Sequence, residues 1–189
     1  VLYGAAITLR QTDLKKLIAY SSVSHMGLVL LGIFALTNVS LTGATLQMFS
    51  HGVVTGLLFA MVGLVYDKTH NRNLTTLGGL ARRMPIITVV FSIAGLASLG
   101  LPGTSGFAAE FLVFVGSFTS NAFPSIRVVT LLSAFGIVLT AGYILWMLQR
   151  AFYGPPLEQY DKMPDADRVE MLCIFSFVAI IIVVGMYPA

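Results

Sequence analysis

The sequence predicts an all-α integral membrane protein, a multi-span helical bundle in which one transmembrane helix is broken. Three observations carry this. Of the 189 residues, 57% are hydrophobic and only 10% are charged, whereas soluble domains carry about 25% charged residues. The apolar residues gather in runs of about 20 or more, the length that crosses a hydrocarbon core of about 30 Å. Ten of the eleven Lys and Arg residues fall in 10–16, 67–83 and 150–170, and only Arg127 lies elsewhere. Such bias toward one set of loops sets membrane orientation.

The elements follow in order. Residues 1–9 form an apolar stub too short to span. The chain does not begin with Met, so the expectation is a fragment cut inside a helix of a longer chain. The basic turn 10–16 follows, where Thr12 or Asp13 supplies a helix cap, since either side chain accepts from an orphan backbone N–H. The first full span is expected over 17–36 and the second over 41–66, joined by the uncharged loop 37–40. Residues 67–83 are polar. The broken span covers 85–119, the next span 128–149 and the last 171–187, the final two separated by the long polar stretch 150–170. One membrane domain accounts for 1–189. Trp146, Tyr143 and Tyr153 fit an interfacial aromatic belt. Cys173 is the single cysteine, so no disulfide forms within the chain. No metal cluster, nucleotide loop, nucleophile constellation or nucleic-acid signal appears.

The segment 85–119 is too long for one straight crossing, and four helix breakers, Gly100, Pro102, Gly103 and Gly106, fall within seven residues. Proline removes a donor and clashes with the preceding turn, and glycine weakens helix interiors. Freed backbone is tolerated at membrane depth only inside protein or beside water. A full hairpin would leave each half about 15 residues, short of a span. It would also move 150–170 to the other side. A single broken crossing keeps the basic loops together.

Apart from Tyr and Cys, three titratable residues lie within the expected spans: His25, His51 and Glu110. A charged group near a helix centre costs roughly 2.5–3.5 kcal/mol on insertion scales, so Glu110 must be protonated, paired or hydrated. Histidine exchanges protons near neutral pH. Ser21 and His25 share a helical face with Ser24 nearby, and Gln47, His51 and Thr55 form a second stripe at i, i+4, i+8. These supporting polar groups have two readings: lining for a hydrated path, or hydrogen-bonding contacts that only join helices. Glu110 beside a broken helix resembles the layout of ion pathways in transporters.

The stretches QTDLKKLIAYSSVSHMG (11–27), FSHG (49–52), LGGL (77–80) and LPGTSGFAAEF (101–111) closely resemble the antiporter-like membrane subunits of respiratory complex I and its relatives. Among these the chain is most similar to the M-type subunit, or chain 4, family. L-type and N-type subunits usually carry lysine where Glu110 stands. The resemblance implies about fourteen transmembrane helices with two inverted five-helix repeats, of which this chain holds most of the second repeat and the final helix. It implies that His25 and His51 belong to a central hydrophilic axis and that Glu110 is the terminal carboxylate on the second broken helix.

It further implies a proton-translocating membrane subunit of a NADH- or ferredoxin-driven quinone oxidoreductase, an enzyme complex in whose membrane arm neighbouring antiporter-like subunits and lipids are the partners. No redox cofactor is expected in this subunit; flavin, iron–sulfur clusters and quinone belong to partner subunits. The expected location is the bacterial cytoplasmic membrane, with inner mitochondrial or thylakoid membranes as the other settings. Two rival readings stand: a subunit of a multi-component sodium/proton antiporter, and a purely structural membrane subunit.

Overall fold

The computed structural model describes residues 1–160 and 163–187; Asp161 and Lys162 of the expected polar stretch, and Pro188 and Ala189, lie outside the described residues. The helices are α1 (Leu2–Thr8), α2 (Leu14–Phe34), α3 (Asn38–Thr69), α4 (Pro85–Ser98), α5 (Ser105–Phe118), α6 (Ile126–Ala151) and α7 (Arg168–Met186), with 3-10 turns at Leu80–Arg82 and Glu158–Tyr160. Helices α2, α3, α6 and α7 are long and apolar enough to cross a membrane.

Local chemistry sets the helix starts. Asp13, not Thr12, caps α2: its carboxylate accepts from the backbone N–H of Lys15 at 2.9 Å and Lys16 at 3.1 Å, satisfying donors that a helix start leaves free. Thr37 and Ser40 form a reciprocal capping box. Helix α3 therefore begins at Asn38, ahead of the apolar run. Asp167 and Glu170 do the same for α7.

Helices α4 and α5 have 14 residues each, about 21 Å at 1.5 Å per residue, so neither spans alone. Helix α5 runs antiparallel to α3. The Ser50 and Ser105 hydroxyls meet at 2.8 Å, Gly43 faces Leu112 and Val113, and Gly116 faces Ser40. Helix α4 packs farther along α3, where Ala97 and Val54 border one small cavity. The two halves make one crossing. The unwound part is shorter than the breaker cluster, because Gly106 already lies in the first turn of α5. Its missing side chain serves a different end: a Cβ there would strike the Ala97 carbonyl oxygen.

The three basic segments meet at one end of the bundle, as a single crossing requires. The Leu14 N–H donates to the Arg72 carbonyl at 2.9 Å, and Arg72 Nε holds Asp13 Oδ2 at 2.8 Å. Lys68 Nζ reaches Glu170 Oε2 at 3.1 Å, and Asn71 Nδ2 donates to the Tyr160 hydroxyl at 3.0 Å. Tyr143 departs from the expected aromatic belt. It is fully buried in the apolar core with Phe91, Met147 and Phe152, and its hydroxyl donates to Thr140 Oγ1 at 3.3 Å.

The α3–α5 seam is close because it is built on small residues, the usual way transmembrane backbones approach one another. At Gly116 a Cβ would collide with the Ser40 backbone nitrogen and lie 2.7 Å from its Cα. Gly116→Val is expected to destabilise the packed chain by about 1–3 kcal/mol, seen as a lower melting temperature of the purified full-length chain in detergent. Gly52→Ala serves as control, since nothing lies within 4 Å of a Cβ there. Equal melting of the two variants would contradict the seam.

Candidate functional site

The break places three helices at one depth. Between α4 and α5, residues 99–104 leave the helix, with Gly100 at φ 82° and Gly103 at φ 92°. Glycine adopts this left-handed region without the penalty other residues meet. The loop closes its own backbone hydrogen bonds: the N–H of Leu101 donates to the Leu96 carbonyl at 3.0 Å and that of Thr104 to the Leu101 carbonyl at 3.1 Å. A non-helical stretch of this kind suits a protein interior at membrane depth.

His25 from α2, His51 from α3 and Glu110 from α5 come together beside that loop. Glu110 is 6% exposed and His25 4%. His25 Nδ1 lies 3.6 Å from Glu110 Oε1. The rings of His25 and His51 have centroids 5.3 Å apart, tilted by 36°. The order is therefore His51, His25, Glu110, with His25 in the middle. Ser98 at the end of α4 places its hydroxyl 3.3 Å from His25 Nε2, and Thr55 Oγ1 is 3.2 Å from the His51 ring nitrogens. A buried carboxylate is costly unless paired and hydrogen-bonded, and His25 is the ionisable group placed beside it. The cluster can hold a proton on the carboxyl or on the imidazole with little movement of heavy atoms.

Glu110 also borders two small cavities, each of about 10 Å³. That is about the least volume that holds one water. One lies toward His25, Gln47, Ser50 and His51. The other, which His25 also borders, lies toward Ser24, Ser133 and Thr140. Among the described residues, Gln47 Oε1 is buried without a hydrogen-bond partner, and it borders the first cavity.

The other expected polar groups are placed less directly. Ser21 Oγ donates to the Ile18 carbonyl at 2.7 Å and Ser24 Oγ to the Val1 carbonyl at 2.9 Å, so both satisfy backbone, and only Ser24 borders a cavity shared with Glu110. Sequence reasoning missed Ser98, the Ser50–Ser105 pair and the polar stripe of α6. The signal for the last was present: Thr130, Ser133 and Thr140 recur at helical spacing and are all buried. No group of three or more His, Cys, Asp or Glu suited to a metal occurs among the described residues.

Comparison with known proteins concerns the chain as a whole. Residues 1–149 match the family described as NADH:quinone oxidoreductase/Mrp antiporter, transmembrane. The whole chain is 45% identical to the NAD(P)H-quinone oxidoreductase chain 4 of Acaryochloris marina and spans 36% of that protein's length. Among solved structures, a chain of respiratory complex I from Thermus thermophilus superposes with a TM-score of 0.91 at 31% identity, covering 100% of this chain and 38% of that one. A chain of the Mrp complex from Dietzia sp. DQ12-45-1b superposes at 0.83 with 18% identity, covering 98% of this chain and 42% of that one; that likeness is one of fold alone.

Proposed function

This chain belongs to the NADH:quinone oxidoreductase/Mrp antiporter transmembrane family, and on that premise we propose that it is part of a proton-translocating membrane subunit of a NADH- or ferredoxin-driven quinone oxidoreductase. It is a multi-pass integral membrane protein. The observation that carries the reading is the file His51, His25, Glu110 beside a broken helix, with His25 and Glu110 buried and His51 half-buried. Protons pass along this file, with Ser98 and Thr55 holding the two imidazoles in place. Glu110 and His25 together border both small cavities, one reaching toward His51 and the other toward α6, so a proton taken from the His51 side leaves toward α6. A change of charge elsewhere in the complex shifts the proton affinity of these groups, since nearby charges favour or disfavour ionisation. In this reading flavin, iron–sulfur clusters and quinone sit in partner subunits, neighbouring antiporter-like subunits flank the chain, and the membrane is the bacterial cytoplasmic one.

The test is ion movement in sealed vesicles carrying the full-length chain in its complex. Donor-driven proton movement is expected to proceed without sodium and to cease when quinone is withheld. Sodium-dependent proton exchange that persists without donor or quinone would replace this reading with that of a sodium/proton antiporter subunit.

A further inference from the structure

Away from the proton file, α2 and α3 leave an open groove of about 590 Å³ at the basic end of the bundle, lined by Lys15, Phe59, Val62, Gly63, Tyr66 and Arg72. Its size lies within the roughly 300–1,000 Å³ of small-ligand clefts. Phe59, Val62, Gly63 and Tyr66 stand at i, i+3, i+4 and i+7 on α3 and so share one face. Gly63 keeps the groove wide, since a Cβ there would meet nothing within 4 Å. The floor is therefore apolar and lies within a membrane-crossing helix.

The mouth is cationic. Arg72 is held in two ways, by Asp13 Oδ2 at 2.8 Å from its Nε and by the Tyr66 ring, 5.7 Å from its guanidinium carbon. Asp13 offsets one of the two cations. Lys15 enters no ion pair among the described residues, so the mouth keeps a net positive charge. Asp67 follows Tyr66 in sequence but does not line the groove. An apolar channel at membrane depth, with an aromatic hydroxyl and two cations at its basic end, matches an acyl chain below a phosphate. A hydrophobic helix of another subunit would fill the floor and leave the Lys15 ammonium without a counter-charge. Basic pockets between transmembrane helices on the positive side of a membrane protein are suited to anionic head groups.

We propose that this groove binds an anionic phospholipid, with the phosphate between Lys15 and Arg72 and one acyl chain along Phe59, Val62 and Gly63. The proposal is independent of the proton reading, because it rests only on membrane placement and on residues outside the file.

The experiment uses the full-length chain in its complex, reconstituted in vesicles that contain a trace of photoactivatable phosphatidylglycerol or photoactivatable phosphatidylcholine. Cross-linked peptides are then mapped by mass spectrometry. Labelling of residues 59–66 is expected to favour phosphatidylglycerol by about fivefold. Lys15→Gln should bring the two lipids close to parity, and it leaves the Asp13 cap intact because the cap uses the Lys15 backbone N–H. Gly63→Leu should suppress labelling by both lipids. Equal labelling of the unaltered protein by the two lipids, or a preference that survives Lys15→Gln, overturns the proposal. So does a cross-link from these residues to a protein segment with no lipid labelling, which would assign the groove to a neighbouring helix.

Discussion

Glu110→Gln in the full-length chain is expected to remove most donor-driven proton movement while leaving insertion and assembly intact. Gln has nearly the same shape and keeps hydrogen-bonding capacity, but it carries no titratable proton. Glu110 is 6% exposed and faces His25 at 3.6 Å, and the amide oxygen and nitrogen keep an acceptor and a donor beside that imidazole. Stability should hold for that reason, and loss of function cannot be charged to misfolding once assembly is confirmed. A positioned proton-transfer group contributes about a hundredfold or more to the step it serves, so pumping in sealed vesicles should fall close to background. Normal pumping in an assembled complex would return Glu110 to a structural role and direct attention to the histidines. Full pumping after replacing His25, His51 and Glu110 together would favour a structural subunit that conducts nothing.

The features legible in the sequence were those that a membrane makes rare. A cluster of Gly and Pro inside an apolar run marked the break, and the unwound residues fall at 99–104. Grouped Lys and Arg marked one side, and the loops that carry them are joined there by Arg72–Asp13 and Lys68–Glu170 contacts. Isolated ionisable residues pointed to His25, His51 and Glu110, which the fold brings together. What stayed hidden was which face of each helix points inward. In a soluble helix the apolar stripe answers that. Here lipid-facing and interior residues are equally apolar, so Leu131 and Leu132 are exposed on the same helix that buries Thr130 and Ser133. Hydroxyl residues add to the ambiguity by bonding their own helix: Thr130 Oγ1 donates to the Ile126 carbonyl at 2.8 Å and Thr140 Oγ1 to the Gly136 carbonyl at 3.1 Å. Either residue would be satisfied facing lipid. Tyr143 is ambiguous for the same reason, because its type fits an interfacial belt while its burial depends on the neighbours of α6. By sequence Gly106 belongs to the breaker cluster, whereas its position against the Ala97 carbonyl makes it a contact glycine.

Gly100→Ala is expected to impair proton movement far more than Gly103→Ala, although both glycines lie in the left-handed region, at φ 82° and 92°. Placing a non-glycine residue in such a conformation costs about 1–3 kcal/mol, and that strain is common to the two variants. The surroundings separate them. A Cβ at Gly100 would lie 2.8 Å from Glu110 Oε2, whereas at Gly103 nothing lies within 4 Å. The alanine methyl at residue 100 must therefore displace the carboxylate or the loop, and either movement alters the 3.6 Å approach to His25. A misplacement of about 1 Å at a reacting group can cost about a hundredfold. Gly100→Ala should then approach Glu110→Gln in lost pumping, while Gly103→Ala loses stability but retains transport in the molecules that assemble. The measurement is pumping per assembled complex, with the amount of complex read separately. Equal losses per complex would mean that strain in the unwound loop alone governs transport. A selective loss at residue 100 would mean that the glycine is there to let the carboxylate approach the break.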